Sequence, residues 1–243
     1  VFLLSATIQT SFLTTASFEQ TTNSDSITPF PQTGKFYTLA ARTVVWETVN
    51  GKNITSHDEE ITKWSIHNIT DNIVSVNRTY VDLYINPETH EHYTETEDFD
   101  YQIAMNRTIL SAYWKGMAFT LFGFSSSGER SLDEDVGEHT WAWFPTNLYI
   151  GAYVLVSWTA DRSYLGDMLY EVVDDEAIEI LGERQDCWML RMPPSITVDG
   201  KRVRTETYWV DKDTGIPLKI SAEEWALDGF SGWTSEYVLV NTN

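Results

Sequence analysis

The stretch Phe36 to Val49, FYTLAARTVVWETV, runs directly into Asn50-Gly51, and a second polar and β-branched stretch, Asn53 to Ile69, follows. Aromatic and β-branched residues dominate the first stretch, and such residues favour extended strands. Asn-Gly between two such stretches is the strongest short-range signal for a two-residue hairpin turn. The sequence therefore predicts an antiparallel hairpin at this point.

Strand-like segments separated by turn residues continue to the end of the chain. Ile73 to Ile85 alternates in polarity, Asn86-Pro87 breaks it, and Asp199-Gly200 and Asp211 to Gly215 mark later turns. No long segment has a convincing helical period, and Trp141 to Trp158 is interpreted mainly as buried strand. This pattern predicts an all-β, mainly antiparallel protein. The expected architecture is a curved sheet, a sandwich or a half-barrel with a long protruding N-terminal strand.

The first eighteen residues, Val1 to Phe18, carry no charge and alternate in polarity. A strand places successive side chains on opposite faces, so a strand here would have one apolar face. Its length far exceeds the usual strand of roughly 5–6 residues, which favours its donation to a neighbouring subunit. An intramolecular strand and a helix are the alternatives, and the basic segment of a signal peptide is lacking. The expected subunit-interface residues are Phe2, Leu4, Ala6, Ile8, Phe12, Ala16 and Phe18.

Three parts are predicted along the chain: a donor strand at 1–18, a linker at 19–34 and an antiparallel β domain at 35–243. The linker is rich in Thr, Ser, Asn, Asp and Pro, a composition typical of an extended connection. Such a connection would let the first strand leave the body of the protein.

Composition favours a folded globular protein that can bury a sizeable core. The 243 residues are 42% hydrophobic and include ten Trp and twelve Tyr, which suit both β-sheets and binding surfaces. The formal net charge of −20 argues against nucleic acid and anionic membranes as partners. No membrane insertion is expected, because the uncharged N-terminal segment has a period of two and many hydroxyl side chains. Cys187 is the single cysteine and is expected to be a buried thiol.

Four Asn-x-Thr sequons lie between residues 53 and 106, at Asn53, Asn68, Asn77 and Asn106. Such sequons accept N-linked glycans when they lie on the surface of a protein exported from the cytoplasm. The sequence therefore predicts N-glycosylation at these residues and an extracellular, cell-surface location. The alternative is that Asn and Thr simply populate turns and strands.

Motifs for catalysis are absent from the sequence, which has no glycine-rich phosphate loop, no Gly-x-Ser-x-Gly and no Cys-x-x-Cys. No enzymatic activity is therefore expected. His90-Glu91-His92 could bind a transition metal, but a solvated acidic edge is the favoured interpretation, so no metal site is predicted. Asp133-Glu134-Asp135 together with Glu138 is a candidate for calcium, although it lacks the spaced ligands of a dedicated loop. No cofactor is expected apart from the glycans.

The segment Tyr208 to Lys219, YWVDKDTGIPLK, resembles a hairpin of the bacterial lipoprotein-carrier and sigma-factor-regulator fold and of extracellular archaeal β-domains. The resemblance covers about thirty residues, from Cys187 through Ile220, and its Asp-x-x-Thr-Gly element is a generic turn. It implies a strongly curved antiparallel sheet around an apolar cavity or a plugging helix, in the cell envelope. This chain departs from the pattern because it has no clear plugging helix and adds the N-terminal strand.

Together these features predict an extracellular structural subunit of a cell-surface polymer, such as a filament, thread or sheath. Residues 1–18 would insert into the adjacent copy of the same chain, and a contact of this kind that does not close generates a fibre. The alternative is a monomeric cell-envelope module that binds a lipid-like or other hydrophobic ligand in a curved sheet. An apolar cavity lined by Trp141, Trp143, Tyr153 and Trp158 would favour that alternative.

Overall fold

In the part of the chain that the structure describes, regular structure consists of twelve β-strands and one 3-10 turn. The computed structural model describes residues 29–85, 92–119, 124–156, 168–196 and 200–243. The strands are β1 Phe36–Val49, β2 Lys52–Thr70, β3 Ile73–Ile85, β4 His92–Ala104, β5 Ile109–Phe119, β6 Phe124–Ser131, β7 Tyr153–Val156, β8 Met168–Ile180, β9 Glu183–Ile196, β10 Arg202–Asp211, β11 Pro217–Ala226 and β12 Ser231–Thr242. Within these ranges no helix has the length and hydropathy needed to span a bilayer. The predicted donor strand and most of the predicted linker lie outside the described residues.

All twelve strands belong to one antiparallel sheet with the order β6-β5-β4-β3-β2-β1-β12-β11-β10-β9-β8-β7. Each half of the chain is a meander, and pairing between β1 and β12 joins the two halves at the centre of the sheet. The outer strands are β6 and β7, and the described residues of these two strands do not pair with each other. The predicted fold class, an all-β, antiparallel curved sheet, is confirmed.

Two turns form at the residues that the sequence indicates. Asn50 and Gly51 connect β1 to β2 with φ of 52° and 73°, values that Asn and Gly adopt more readily than other residues. Between β10 and β11, the Asp211 carboxylate accepts hydrogen bonds from Thr214 N at 2.6 Å and Thr214 Oγ1 at 2.5 Å. Both turns depend on residues adjacent in the chain, and this is why the sequence predicts them.

One face of the sheet, which we call the inner face, carries most of the buried side chains. In β1 the buried residues Tyr37, Leu39 and Ala41 alternate with partly exposed ones. Alternation of this kind indicates a core on one side of a sheet. The largest fully buried side chains include Tyr37, Tyr170, Tyr208, Phe144, Leu39, Ile103, Leu190 and Ile220.

Residues 140–144, TWAWF, cross the inner face as an irregular segment that we call the plug. Trp141 packs edge-on against Trp64 in the first half of the sheet, with ring centroids 5.3 Å apart. Phe144 packs against Tyr208 in the second half, with centroids 5.2 Å apart. The plug therefore joins the two meanders across the core.

The prediction that Trp141 to Trp158 is mainly buried strand is wrong, because only Tyr153–Val156 forms a strand in the described part of this stretch. Residues 141–144 are all buried, whereas a strand at the edge of a core would alternate. Their backbone groups bond to side chains and turns instead of to a neighbouring strand. Tyr37 Oη donates to Ala142 O at 2.6 Å, and Phe144 N donates to Gly215 O at 2.8 Å.

Gly215 lies where the β10–β11 turn meets the plug, and its replacement by alanine should destabilise the protein by about 2–5 kcal/mol. Its φ is +77°, and a Cβ there would collide with the carbonyl oxygen of Phe144. Left-handed backbone costs about 1–2 kcal/mol and overpacking about 1–3 kcal/mol. Gly182 is the matched control, with φ +79° and no atom within 4 Å of a Cβ. Gly182→Ala should lose only about 1–2 kcal/mol in urea unfolding, and equal losses would contradict the close approach.

Candidate functional site

Beyond the plug, the inner face changes from apolar to ionisable side chains. In the first half of the sheet, Glu60 lies opposite Asp82, and Asp82 lies opposite Glu95, on β2, β3 and β4. In the second half, the buried residues Glu206 and Arg204 occupy alternate inner positions of β10. The same face therefore carries both the core and a set of charged groups.

Arg78 on β3 lies between the apolar and the ionisable parts of the first half. Its guanidinium carbon is 5.5 Å from the ring centroid of Trp64 and 5.8 Å from that of Trp141. The rings of Tyr80 and Phe99 are 5.6 Å and 5.7 Å away. All four distances lie within the range in which an aromatic ring attracts a cation. We call this arrangement the Arg78 cage.

Two buried N–H groups of the cage have no hydrogen-bond partner among the described residues, the Nε–H of Arg78 and the Nε1–H of Trp64. Trp64 is only 3% exposed, so bulk water does not solvate its indole. The Arg78 side chain hydrogen-bonds the Tyr101 hydroxyl, and burial raises the pKa of that hydroxyl while the Arg78 charge opposes the rise. No described carboxylate forms an ion pair with Arg78.

Five carboxyl groups occupy inner positions in the ionisable part of the first half: Asp58, Glu60, Asp82, Glu95 and Glu97. Burial is the largest cause that raises the pKa of Glu60, Asp82 and Glu95 above the ordinary carboxyl range. Hydrogen bonds from Tyr80 and Tyr237 oppose the rise at Glu60. Neighbouring carboxylates add to the rise at Glu60, Asp82 and Glu95, because like charges disfavour ionisation.

Replacement of Glu60 by glutamine should flatten the pH dependence of stability. Because folding raises the pKa of Glu60, the folded chain binds its proton more tightly than the unfolded chain. Stability therefore falls as pH rises from the ordinary glutamate pKa of about 4.3 through the raised value, and Glu60→Gln removes that contribution. Urea unfolding across this interval measures the slope. Glu59→Gln, on the exposed outer face of the same strand, should keep the wild-type slope, and an unchanged slope in Glu60→Gln would contradict burial of the charge.

Ionisable groups in the second half of the inner face compensate one another. Arg204 Nε donates to Glu206 Oε1 at 2.5 Å, and Tyr170 Oη also donates to Glu206. Glu224 lies 4.0 Å from another nitrogen of Arg204, and the guanidinium is 5.1 Å from the ring centroid of Trp233. Burial, together with the Glu206 charge, raises the pKa of Tyr170 well above its ordinary value. This set is a buried, mutually bonded group that stabilises the sheet.

Three of the four predicted glycosylation residues, Asn53, Asn68 and Asn106, are exposed in or beside strands of the first half. Asn77 is half-buried in β3, where its Nδ2 donates to Phe99 O and to Asp100 Oδ1, both at 3.1 Å. A glycan on Asn77 would replace one of the two hydrogens on Nδ2 and so break at least one of these bonds. Glycosylation stays a prediction at all four residues.

The predicted subunit-interface residues lie outside the described ranges, so strand donation also stays a prediction. These residues are Phe2, Leu4, Ala6, Ile8, Phe12, Ala16 and Phe18. His90 and Glu91 lie outside as well, and the described ranges contain no group of three or more His, Cys, Asp or Glu that could hold a metal ion. The calcium candidate includes the 3-10 turn Asp133–Asp135, in which the Ser131 hydroxyl donates to Asp133 Oδ1 at 2.5 Å.

The residues expected to line an apolar cavity serve other purposes in the described structure. Trp141 and Trp143 are buried in the plug and fill the core, whereas Tyr153 on β7 is 60% exposed. Trp158 lies outside the described residues. Cys187 is a free, buried thiol, and burial raises its pKa to about 12.

Sequence reasoning missed the two arginines that organise the first half of the inner face. Arg78 and Arg107 are the middle residues of the last two sequons, a context that indicates surface. Arg107 is buried and donates to the plug carbonyl of Trp143 at 2.7 Å. A signal for Arg78 exists, because Val74 and Val76 begin an alternation whose next member is Arg78.

No family model matches the chain, and no curated protein matches it. A β-barrel-like protein of the DUF1849 domain of unknown function from Brucella abortus is 10% identical with a TM-score of 0.35, covering 85% of this chain and 97% of that one. A putative lipoprotein from Parabacteroides distasonis is 13% identical with a TM-score of 0.33, covering 89% and 98%. A DUF1329 family protein from Desulfovibrio piger is 11% identical with a TM-score of 0.29, covering 87% and 86%. At identities of 10–13% and TM-scores of 0.29–0.35, these similarities assign no function to the chain.

Proposed function

We propose that the chain is an extracytoplasmic binding module, without enzymatic activity of its own, that holds an amphipathic small molecule on the inner face beyond the plug. The observation that carries this proposal is that aromatic side chains continue along the inner face but are only half-buried there. They include Tyr80, Trp114 and Trp233. An apolar molecule that covered these rings would remove their surface from water, which stabilises a complex by roughly 25 cal/mol per Å² buried before the costs of binding.

The same part of the inner face has the mixed character of a small-molecule site. Such sites combine apolar walls with a few polar groups that orient the ligand. Here the walls are aromatic, and the polar groups are Arg78 and the carboxyl groups of Glu60 and Asp82. An extracytoplasmic location is supported by the exposed sequon residues, since glycans are added on exported surfaces.

The test is binding of dodecanol, an uncharged amphiphile, to the full chain. Val44 and Val45 are half-buried neighbours on β1 that face opposite sides of the sheet, with Val45 opposite Trp233 on the inner face. Val45→Trp should fill the proposed site and weaken dodecanol binding by about tenfold or more. Val44→Trp should leave dodecanol binding unchanged. Absence of binding to the wild type, or equal losses in both variants, would contradict the proposal.

A second candidate function, subunit of a cell-surface polymer, is favoured by a different observation. The outer strand β7 exposes Tyr153 and Leu155, and Leu169, opposite Leu155, is exposed as well. An exposed apolar outer strand can accept a strand from another chain. Residues 1–18 of a second copy would be the donor.

Light scattering and negative-stain microscopy of the full chain test this second candidate. Ile8→Asp with Phe12→Asp should abolish polymers, because the charges would fall on the apolar face of the donor strand. Thr7→Asp with Ser11→Asp adds the same charge to the opposite face and should preserve them. A monomeric wild-type chain would exclude this function and leave the binding module.

A further inference from the structure

We propose that the Arg78 cage binds an oxyanion, a carboxylate or a phosphate, that forms the head of the amphipathic ligand. This inference rests on the proposed function and adds the chemical class of the ligand. Two buried donors carry it, the Nε–H of Arg78 and the Nε1–H of Trp64, neither of which has a partner in the described structure. A buried donor without an acceptor is costly, so an acceptor at this point would stabilise the complex.

The two donor groups belong to side chains that contact each other. The guanidinium carbon of Arg78 is 5.5 Å from the ring centroid of Trp64, and the two residues lie opposite each other on β3 and β2. Arginine also presents its donors in a planar fork, which matches carboxylate and phosphate geometry.

Charge distinguishes an oxyanion from a water molecule in this place. Arg78 is half-buried and forms no ion pair with a described carboxylate. The aromatic rings around it replace part of its hydration but do not neutralise it. A negative head would pair with the cation, whereas a water molecule would only satisfy the donors.

Half-buried side chains continue along the inner face beyond the cage. Arg78, Tyr80 and Asp82 follow one another at alternate residues of β3, and Glu97 on β4 lies opposite Tyr80. A ligand whose head lies at Arg78 would extend its chain past Tyr80 towards Trp233. The carboxyl groups would then face the chain or solvent and not the head.

Calorimetry on the full chain with five probes tests the inference. Dodecanoate and dodecyl phosphate carry oxyanion heads, dodecylamine carries a cationic head, dodecanol is uncharged, and inorganic phosphate lacks the chain. Wild type should bind both oxyanion amphiphiles about ten- to a hundredfold more tightly than dodecanol, in keeping with hydrogen bonds to charged groups. Inorganic phosphate alone should bind much more weakly, and binding as tight as that of dodecyl phosphate would show a site for free anions instead.

Substitutions then assign the preference to the cage. Arg78→Met should remove the advantage of dodecanoate over dodecanol, measured as the ratio of the two Kd values within the same variant. Arg42→Met removes the same charge from an exposed residue on the outer face and should keep the advantage. Trp64→Phe, which keeps a ring but loses the N–H, should reduce the preference for dodecanoate over dodecanol several-fold. Arg78→Lys keeps the charge but loses the planar donors of the guanidinium, so it should also reduce the preference for dodecanoate over dodecanol. This variant tests the inference if Arg78→Met does not fold.

The outcomes separate the inference from the function on which it rests. If dodecanol and dodecanoate bind equally in the wild type, and Arg78→Met changes only stability, the donors serve a buried water and the inference is overturned while the binding module stands. If dodecylamine binds more tightly than dodecanoate, the carboxyl groups select the head and the inference is also overturned. If none of the amphiphiles binds, the proposed function itself fails.

Discussion

Replacement of Arg204 by methionine is expected to lower the free energy of unfolding by about 3–5 kcal/mol. The side chains of Arg204 and Glu206 are 2% and 0% exposed, and they bond directly to each other on the inner face. Removing the guanidinium would leave the Glu206 carboxylate buried beside the hydroxyl of Tyr170 without its cation. Breaking a buried ion pair from one side is costly because the remaining charge has lost both water and partner.

The double variant Arg204→Met with Glu206→Met should recover most of that loss. Two apolar side chains of similar length would replace the pair, and such exchanges are often close to neutral in stability. Urea unfolding of the wild type, both single variants and the double variant gives the coupling energy. Lys115→Met is the matched control, because the side chains of Lys115 and Asp100 are 38% and 43% exposed and their charged atoms lie 3.3 Å apart. It should lose no more than about 1 kcal/mol, and a loss as large as that of Arg204→Met would contradict the role of burial.

Replacement of Arg107 by methionine is expected to destabilise the protein by a similar amount, about 3–5 kcal/mol, because three hydrogen bonds from a buried charged group are lost together. Arg107 is 5% exposed, and it donates to the carbonyl oxygens of Trp143 and Leu155 at 2.7 Å each and to that of Thr140. Its guanidinium also lies 5.0 Å from the ring centroid of Phe144. Each hydrogen bond to a charged group contributes about 1.5–3 kcal/mol, and the contributions are not additive.

The plug depends on these bonds because it has no neighbouring strand along its length. Loss of Arg107 should therefore expose its tryptophans, and tryptophan fluorescence should shift to longer wavelength before global unfolding in urea. Arg107→Lys should restore little, because a lysine ammonium cannot reproduce the planar fork. Arg42→Met, at an exposed residue, should change neither readout. A single cooperative transition with wild-type stability in Arg107→Met would contradict an anchoring role.

Local sequence signals predicted much of the sheet but little of the candidate site. Strands and their turns were predictable because side-chain alternation and turn residues such as Asn50-Gly51 act over a few neighbours. In β3 the apolar residues Val81 and Leu83 have the opposite parity to Val74 and Val76. Hydrophobicity alone therefore could not tell which side chains of the C-terminal half of β3 lie on the inner face.

What the sequence by itself determined is an all-β chain of antiparallel hairpins with a large negative charge, because these follow from composition and short-range pattern. Tertiary structure alone decided that residues 140–144 form the plug. It also decided that the Arg78 side chain lies on the inner face and that Arg107 is buried. Those outcomes depend on contacts between residues far apart in the chain, such as β1 with β12 and Arg78 with Trp141. No local preference encodes such pairings, since they arise only when both halves of the sheet close around the same core.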